Sequence, residues 1–387
     1  MKKTLLATAI AGAAAFTAVG AQAATVYNQD GTKLDIYGNV QLVYAGVKDA
    51  DGHSRDEIAD NGSTFGFAAE HVIYNGLIGY AKIEIDDFKA DEMKVAGRDA
   101  GDTAYIGLKG NFGDARLGSY DSLLDDWIQD PISNNEYFDV SDSNTFKGAP
   151  GEDADSAGVV AGDPEGDKLT YTSPVWGGFQ FALGTQYKGD AENENLSDGG
   201  EASIFGGLKY TVGGFSIAGV YDDLGIYDID DYQVVTGTTL TADPTTGVVT
   251  STDQTVNIND EDLGDQYGVT AQYQWDSLRV AVKYERFESD NDFLKDADYY
   301  AVGARYGYGN GMGDVYGSYQ YIDFGGSGFS DLNTANDDEN DDDNFNEVVG
   351  GVTYNISDAM YTYVEGAWRD RDNDQGDGYA VGLTYLF

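Results

Sequence analysis

Gly378-Tyr379-Ala380-Val381-Gly382-Leu383-Thr384-Tyr385-Leu386-Phe387 closes the chain. Tyr379, Val381, Leu383, Tyr385 and Phe387 fall on one parity, and Gly378, Ala380, Gly382 and Thr384 on the other. Period two is an extended strand, because successive side chains point to opposite faces. A chain that ends inside a strand leaves an open row of N–H and C=O groups, and such an edge must pair with something. The simplest partner is the first strand of the same chain, Lys33 to Val47, where Leu34, Ile36, Val40, Leu42 and Tyr44 oppose Asp35, Tyr37, Asn39 and Gln41. Pairing the two closes a barrel.

Outward from this pair the chain repeats one unit: strand, tight turn, strand, long polar loop. Ser63 to Ile73 and Leu77 to Asp87 are separated only by Tyr74-Asn75-Gly76, and Asn-Gly is the strongest short hairpin signal. Further tight turns stand at Asn111-Phe112-Gly113, Trp176-Gly177-Gly178, Val212-Gly213-Gly214, Trp275-Asp276, Gly309 to Gly313 and Asn355 to Asp358. Ala24 to Thr32 reads as a turn-rich lead-in, and Lys48 to Gly62 and Asp223 to Asp262 as polar loops. Counting the alternating runs gives sixteen strands. The sequence therefore predicts an all-β fold, a 16-stranded antiparallel transmembrane β-barrel with short turns at one end and long loops at the other. Sixteen strands leave room for a water-filled channel. A charge facing lipid costs about 2–4 kcal/mol at the midplane, so the charged strand residues are expected inside. Phe179, Phe181 and Leu183, like Val280, Val282 and Tyr284, mark the lipid face. Trp176, Trp275 and Trp368 near strand ends suit interfacial girdles.

The composition agrees. The 387 residues hold 68 Asp+Glu against 22 Lys+Arg, a formal charge of −46, with no Cys. Such acidity argues against a nucleic-acid partner. After the N-terminus no run of ~18 apolar residues occurs, so strands must carry any membrane crossing. Tyr at 29, Gly at 52 and Pro at only 5 suit a barrel of alternating strands. At the start, Lys2 and Lys3 precede an apolar run from Leu5 to Val19 and a small-x-small site, Ala21-Gln22-Ala23. This predicts a secretory signal peptide over residues 1–23 and a barrel over 24–387.

The third long loop, Ser119 to Gly166, combines apolar residues with acids. Leu123, Leu124, Trp127, Ile128, Tyr137 and Phe138 have no reason to lie in a fully solvated loop. The loop is expected to fold into the barrel and narrow the pore. Asp121, Asp125, Asp126, Asp130, Glu136 and Asp139 are then the candidate carboxylates of a constriction.

The stretch Ala24-Thr25-Val26-Tyr27-Asn28-Gln29-Asp30-Gly31-Thr32-Lys33-Leu34-Asp35-Ile36-Tyr37-Gly38 resembles the mature start of enteric porins almost residue by residue. Thr64-Phe65-Gly66-Phe67, Leu77-Ile78-Gly79-Tyr80, Tyr105-Ile106-Gly107-Leu108-Lys109 and the closing Tyr379 to Phe387 extend the likeness along the strands. The chain is thus similar to the general diffusion porins of Gram-negative outer membranes. That resemblance implies a homotrimer in contact with membrane lipid and lipopolysaccharide, and a third loop that narrows the pore. It also implies delivery by the outer-membrane assembly machinery, with Phe387 as part of the signal. Departures from the family are informative. Asn39, Thr64, Asp102 and Thr172 stand where enteric members carry Lys or Arg, and the family's Pro-Glu-Phe-Gly-Gly loop motif is absent. Glu84 matches a wall carboxylate of the family. Lys82, Arg116, Arg279, Lys283 and Arg305 are the candidates for a different basic wall.

No catalytic, cofactor or metal site is expected. His53 and His71 are the only histidines, and no Gly-x-Ser-x-Gly occurs. Asp337 to Asp343 reads as a solvated acidic tract, with Ca²⁺ or Mg²⁺ bridging acidic loops to lipid phosphates left open. The expected function is passive passage of small hydrophilic solutes and cations. The alternatives are a surface adhesin or receptor acting through the long loops, or a channel specific for one solute.

Overall fold

A computed structural model describes residues 23–49, 51–85, 88–91, 94–95, 103–132, 136–138, 168–187, 202–226, 228–229, 232–242, 249–258, 261–262, 264–290, 296–325 and 344–387. One antiparallel sheet dominates. Its strands are β1 (Ala24–Gln29), β2 (Thr32–Lys48), β3 (Ser54–Asp60), β4 (Phe65–Tyr74), β5 (Leu77–Ile85), β6 (Ala104–Gly110), β7 (Gly113–Ser119), β8 (Lys168–Thr172) and β9 (Phe179–Tyr187). They continue as β10 (Ala202–Val212), β11 (Phe215–Asp223), β12 (Gly264–Trp275), β13 (Leu278–Ser289), β14 (Asp296–Tyr308), β15 (Gly313–Gly325), β16 (Asn344–Ser357), β17 (Met360–Arg369) and β18 (Gly378–Leu386).

Apart from β3 and β4, strands adjacent in sequence pair with each other, and β18 returns to β2 with Asn39 opposite Leu386 and Val47 opposite Gly378. The closing partner is therefore the one expected from the alternation. β3 and β4 follow one another along one side of β2, and β1 and β18 along the other. Each such couple makes one stave, so 18 strand segments form a closed barrel of 16 staves.

Three regions read as irregular contain strands. Ala24–Gln29 turns back on β2 through Asp30-Gly31, both with positive φ, a hairpin that Asp-Gly favours. Ser54–Asp60 pairs with the far end of β2. In the expected loop Asp223 to Asp262, Tyr232–Ala242 and Val249–Ile258 form a separate two-stranded hairpin. These segments carry polar side chains on both parities, so no apolar alternation announces them.

The outside is the apolar face. Leu42, Ile106, Leu183, Leu208, Val269, Val282, Val302, Val364 and Leu383 are exposed there, with Trp176, Trp275 and Trp368 toward strand ends. A band of this kind is stable only against lipid. The inside explains the excess of Tyr and Gly. The Tyr37 ring lies over Gly66, Tyr80 over Gly107, Tyr316 over Gly351 and Tyr363 over Gly382. A Cβ added at Gly382 would stand 2.1 Å from the Tyr363 ring. Glycine thus lets each ring lie flat along the wall instead of projecting into the lumen. Gly382→Val is expected to displace Tyr363 and destabilise the barrel by about 1–3 kcal/mol. A lower thermal midpoint of the purified barrel, with conductance retained below it, checks this.

Candidate functional site

The barrel interior is crossed by the third loop. Ser119 ends β7, and Tyr120 turns inward, its hydroxyl 2.7 Å from the Thr170 hydroxyl and its carbonyl accepting from the Lys168 ammonium. Ser122 caps a single helical turn, α1 (Leu123–Trp127), accepting from the Asp125 N–H at 3.1 Å. Asp125 and Asp126 sit in that first turn, where negative charge is favoured.

The apolar residues of the loop meet an inner wall shaped for them. Leu123, Leu124, Trp127 and Ile128 pack on Ala182, Phe205, Ala218 and Val220 of β9, β10 and β11. Ile132 and Phe138 join a second cluster with Tyr316, Val349, Tyr361, Tyr363 and Ala380. A Cβ at Gly207 would stand 3.0 Å from Trp127, at Gly268 2.8 Å from Ile128, at Gly303 2.8 Å from Pro131, and at Gly378 2.9 Å from Phe138. The wall is smooth where the loop lies. Burying each large side chain stabilises the arrangement by about 1.5–3 kcal/mol.

Polar anchors fix the rest. Arg279 of β13 donates to the carbonyls of Pro131 at 2.8 Å and Asp130 at 3.1 Å. Arg305 of β14 pairs with Glu136 at 3.1 Å. Glu365 of β17 accepts the Phe138 N–H at 2.6 Å and the Tyr316 hydroxyl at 2.8 Å. The described part of the loop therefore runs along the inner wall from β9 to β18, as its apolar content led us to expect.

The thirteen constriction candidates separate into three groups. Asp121, Asp125 and Asp126 lie half-buried along the loop, as does Asp130, whose carboxylate turns back to the Ile132 N–H at 2.7 Å. Across the interior, Lys82 and Glu84 on β5 pair at 3.2 Å, and Lys82 lies within Coulomb reach of Asp121. Arg116 on β7 is 3.3 Å from Asp126 and stacks 3.7 Å from the Tyr120 ring centre. These groups lie together near the start of the loop. Arg279, Lys283, Arg305 and Glu136 are engaged elsewhere: Arg279 holds loop carbonyls, Arg305 and Glu136 hold each other, and Lys283 is buried against Glu285 at 2.6 Å. Asp102 and Asp139 lie outside the described residues. Reading the sequence missed Glu365 and Lys168 as loop anchors. The available signal was the run of small inward residues, Ala182, Gly207, Ala218, Gly268 and Gly303, which marks where a second layer must lie.

A sixteen-stave barrel with its third loop inside is a geometry that known proteins share. A family model described as Gram-negative porin matches residues 7–375. The chain belongs to the Gram-negative porin family. A monosaccharide porin of a Halomonas species and the major outer membrane protein of Halomonas elongata are each 56% identical to this porin over 400 aligned residues, covering all of both chains. The anion-selective porin of Comamonas acidovorans superposes with a TM-score of 0.63 at 19% identity, over 92% of this porin and all of that chain. At that identity the likeness speaks for the fold alone. The family places the porin in the outer membrane as a passive channel, and its members are channels, not enzymes.

Proposed function

We propose that the protein is a weakly cation-selective diffusion channel for ions and for neutral hydrophilic solutes of monosaccharide size. The observation that carries this is the cluster of acids at the start of the third loop, Asp121, Asp125 and Asp126, half-buried inside the barrel, with Arg116 paired to Asp126 at 3.3 Å and Lys82 within Coulomb reach of Asp121. Carboxylates edging a pore favour cations. The formal charge of −46 adds a long-range field that enriches cations near the mouths, screened beyond about 8 Å at physiological salt. The solute size is supported by the Halomonas relative named as a monosaccharide porin. In a KCl gradient the reversal potential is expected to carry the cation sign, and Asp121→Asn, Asp125→Asn and Asp126→Asn together should move it toward zero. An anion sign for the unmodified protein overturns the selectivity.

Four further properties belong to this reading. Residues 1–23 are a cleaved export signal, supported by Ala24 being the first residue of β1. N-terminal sequencing of the membrane protein should begin at Ala24. The functional unit is a homotrimer seated in lipid and lipopolysaccharide, as the resemblance of the strands implies, and channels should close in three equal steps. Phe387 contributes to recognition by the assembly machinery, and the acidic loops bind Ca²⁺ or Mg²⁺ at the lipid surface.

A further inference from the structure

We propose that the lumen also holds a pocket for a single neutral sugar ring, on the turn side of the constriction; this rests on the passive-channel reading above. A cavity of about 380 Å³ lies between the β5–β9 wall and the third loop, bounded by Tyr80, Asp114, Arg116, Asp126, Thr172 and Gln180, with Lys109 at its rim. Small-ligand sites span roughly 300–1,000 Å³, so this volume suits one ring and not an oligosaccharide.

The cavity lining holds two cations, Lys109 and Arg116, and two carboxylates, Asp114 and Asp126. Arg116 faces Asp126 at 3.3 Å, and Lys109 reaches Glu70 at 2.5 Å and lies 5.2 Å from the centre of the Tyr80 ring. The Asp114 carboxylate accepts the Tyr80 hydroxyl. An anion entering here meets Asp114 and Asp126, and a cation meets Arg116 and Lys109. Neither gains, whereas a neutral solute meets no like charge.

The wall is nonetheless dense in hydrogen-bonding groups. It offers carboxylate oxygens as acceptors, guanidinium N–H as donors, and the Gln180 amide and Thr170 and Thr172 hydroxyls as both. The Thr172 hydroxyl makes no hydrogen bond among the described residues. A sugar hydroxyl needs a donor and an acceptor side by side, and paired ions supply them without a net charge. Release must remain easy in a channel, and hydrogen bonds shared with water meet that condition.

The test uses the full-length porin in planar bilayers and liposomes, with D-glucose as probe. Single-channel KCl current is expected to fall with added glucose along a saturating curve, beyond the proportional fall in the solution's conductivity. Gln180→Leu and Thr172→Val, which keep volume and remove hydrogen-bonding groups, should together raise the half-saturating glucose concentration about tenfold. Heat-modifiable mobility establishes that the variant barrel is folded. Current that only tracks bulk conductivity, or an unmoved half-saturation in folded variants, overturns the pocket. Absence of both KCl conductance and glucose-driven liposome swelling in the unmodified protein overturns the channel reading instead.

Discussion

Replacing Leu124 and Ile128 together by Asp is expected to raise single-channel conductance several-fold while leaving the barrel folded. Both side chains are fully buried between the third loop and the inner wall. Ile128 fills the space left by Gly268, and both belong to the cluster with Ala182, Phe205, Ala218 and Val220. Each loses about 1.5–3 kcal/mol of burial on exposure to water, and a carboxylate in the same place adds a larger desolvation cost. Polar contacts bracket α1: Lys168 holds the Tyr120 carbonyl before it, Arg116 meets Asp126 at its solvent side, and Arg279, Arg305 and Glu365 hold the loop beyond it. They cannot hold α1 against the wall once its apolar side is charged. The strands contribute none of the altered residues, so the ladder that closes the barrel is untouched. On the reading proposed above, the released segment also breaks the Arg116–Asp126 pair and carries Asp121 away from Lys82, and selectivity should weaken as conductance rises. Unchanged conductance in a folded variant would show that this segment does not set the constriction.

The barrel was legible in the sequence because lipid imposes a strict rule on one parity. Val280, Val282 and Tyr284 must face outward, and Arg279, Lys283 and Glu285 must not, so β13 reads without ambiguity. The rule ends where the membrane ends. Ser54–Asp60 and the Tyr232–Ala242 hairpin have no lipid to satisfy, and their polar alternation looked like loop.

The candidate site was legible in part. Length and apolar content placed the third loop inside, and its acids were named as a group. Which basic residue meets which acid was not readable, because inward parity is shared by groups with different tasks. Arg116 and Arg279 both point inward; one pairs with the Asp126 carboxylate, and the other donates to the carbonyls of Asp130 and Pro131. The difference lies in the path of the loop, which depends on where glycine and alanine leave the wall low. That pattern is spread over β9 to β14 and has no local signature.

Deleting Gly378–Phe387 is expected to abolish the heat-resistant barrel and all channel activity, whereas deleting Phe387 alone should spare both in vitro. β18 is hydrogen-bonded along its whole length to β17 on one side and β2 on the other. Its removal opens two edges, and an unpaired backbone group in hydrocarbon costs several kcal/mol. No other strand can bridge the gap, since the register of β2 is already fixed by β1, β3 and β4. Phe387 itself adds one reciprocal pair of backbone hydrogen bonds with Gly38, at 3.0 Å each, and a ring contact with Phe65. Gly38 is required there, since a Cβ would stand 2.9 Å from the Phe387 ring. These contacts are worth a few kcal/mol against a ladder of many bonds, roughly 0.5–1.5 kcal/mol per hydrogen bond. A chain lacking Phe387 should therefore refold in detergent with normal conductance, yet reach the outer membrane poorly if the residue serves assembly. Normal membrane yield without Phe387 would remove the assembly role and leave closure as its whole contribution. Failure to refold in detergent would show instead that the Gly38 junction is essential to closure.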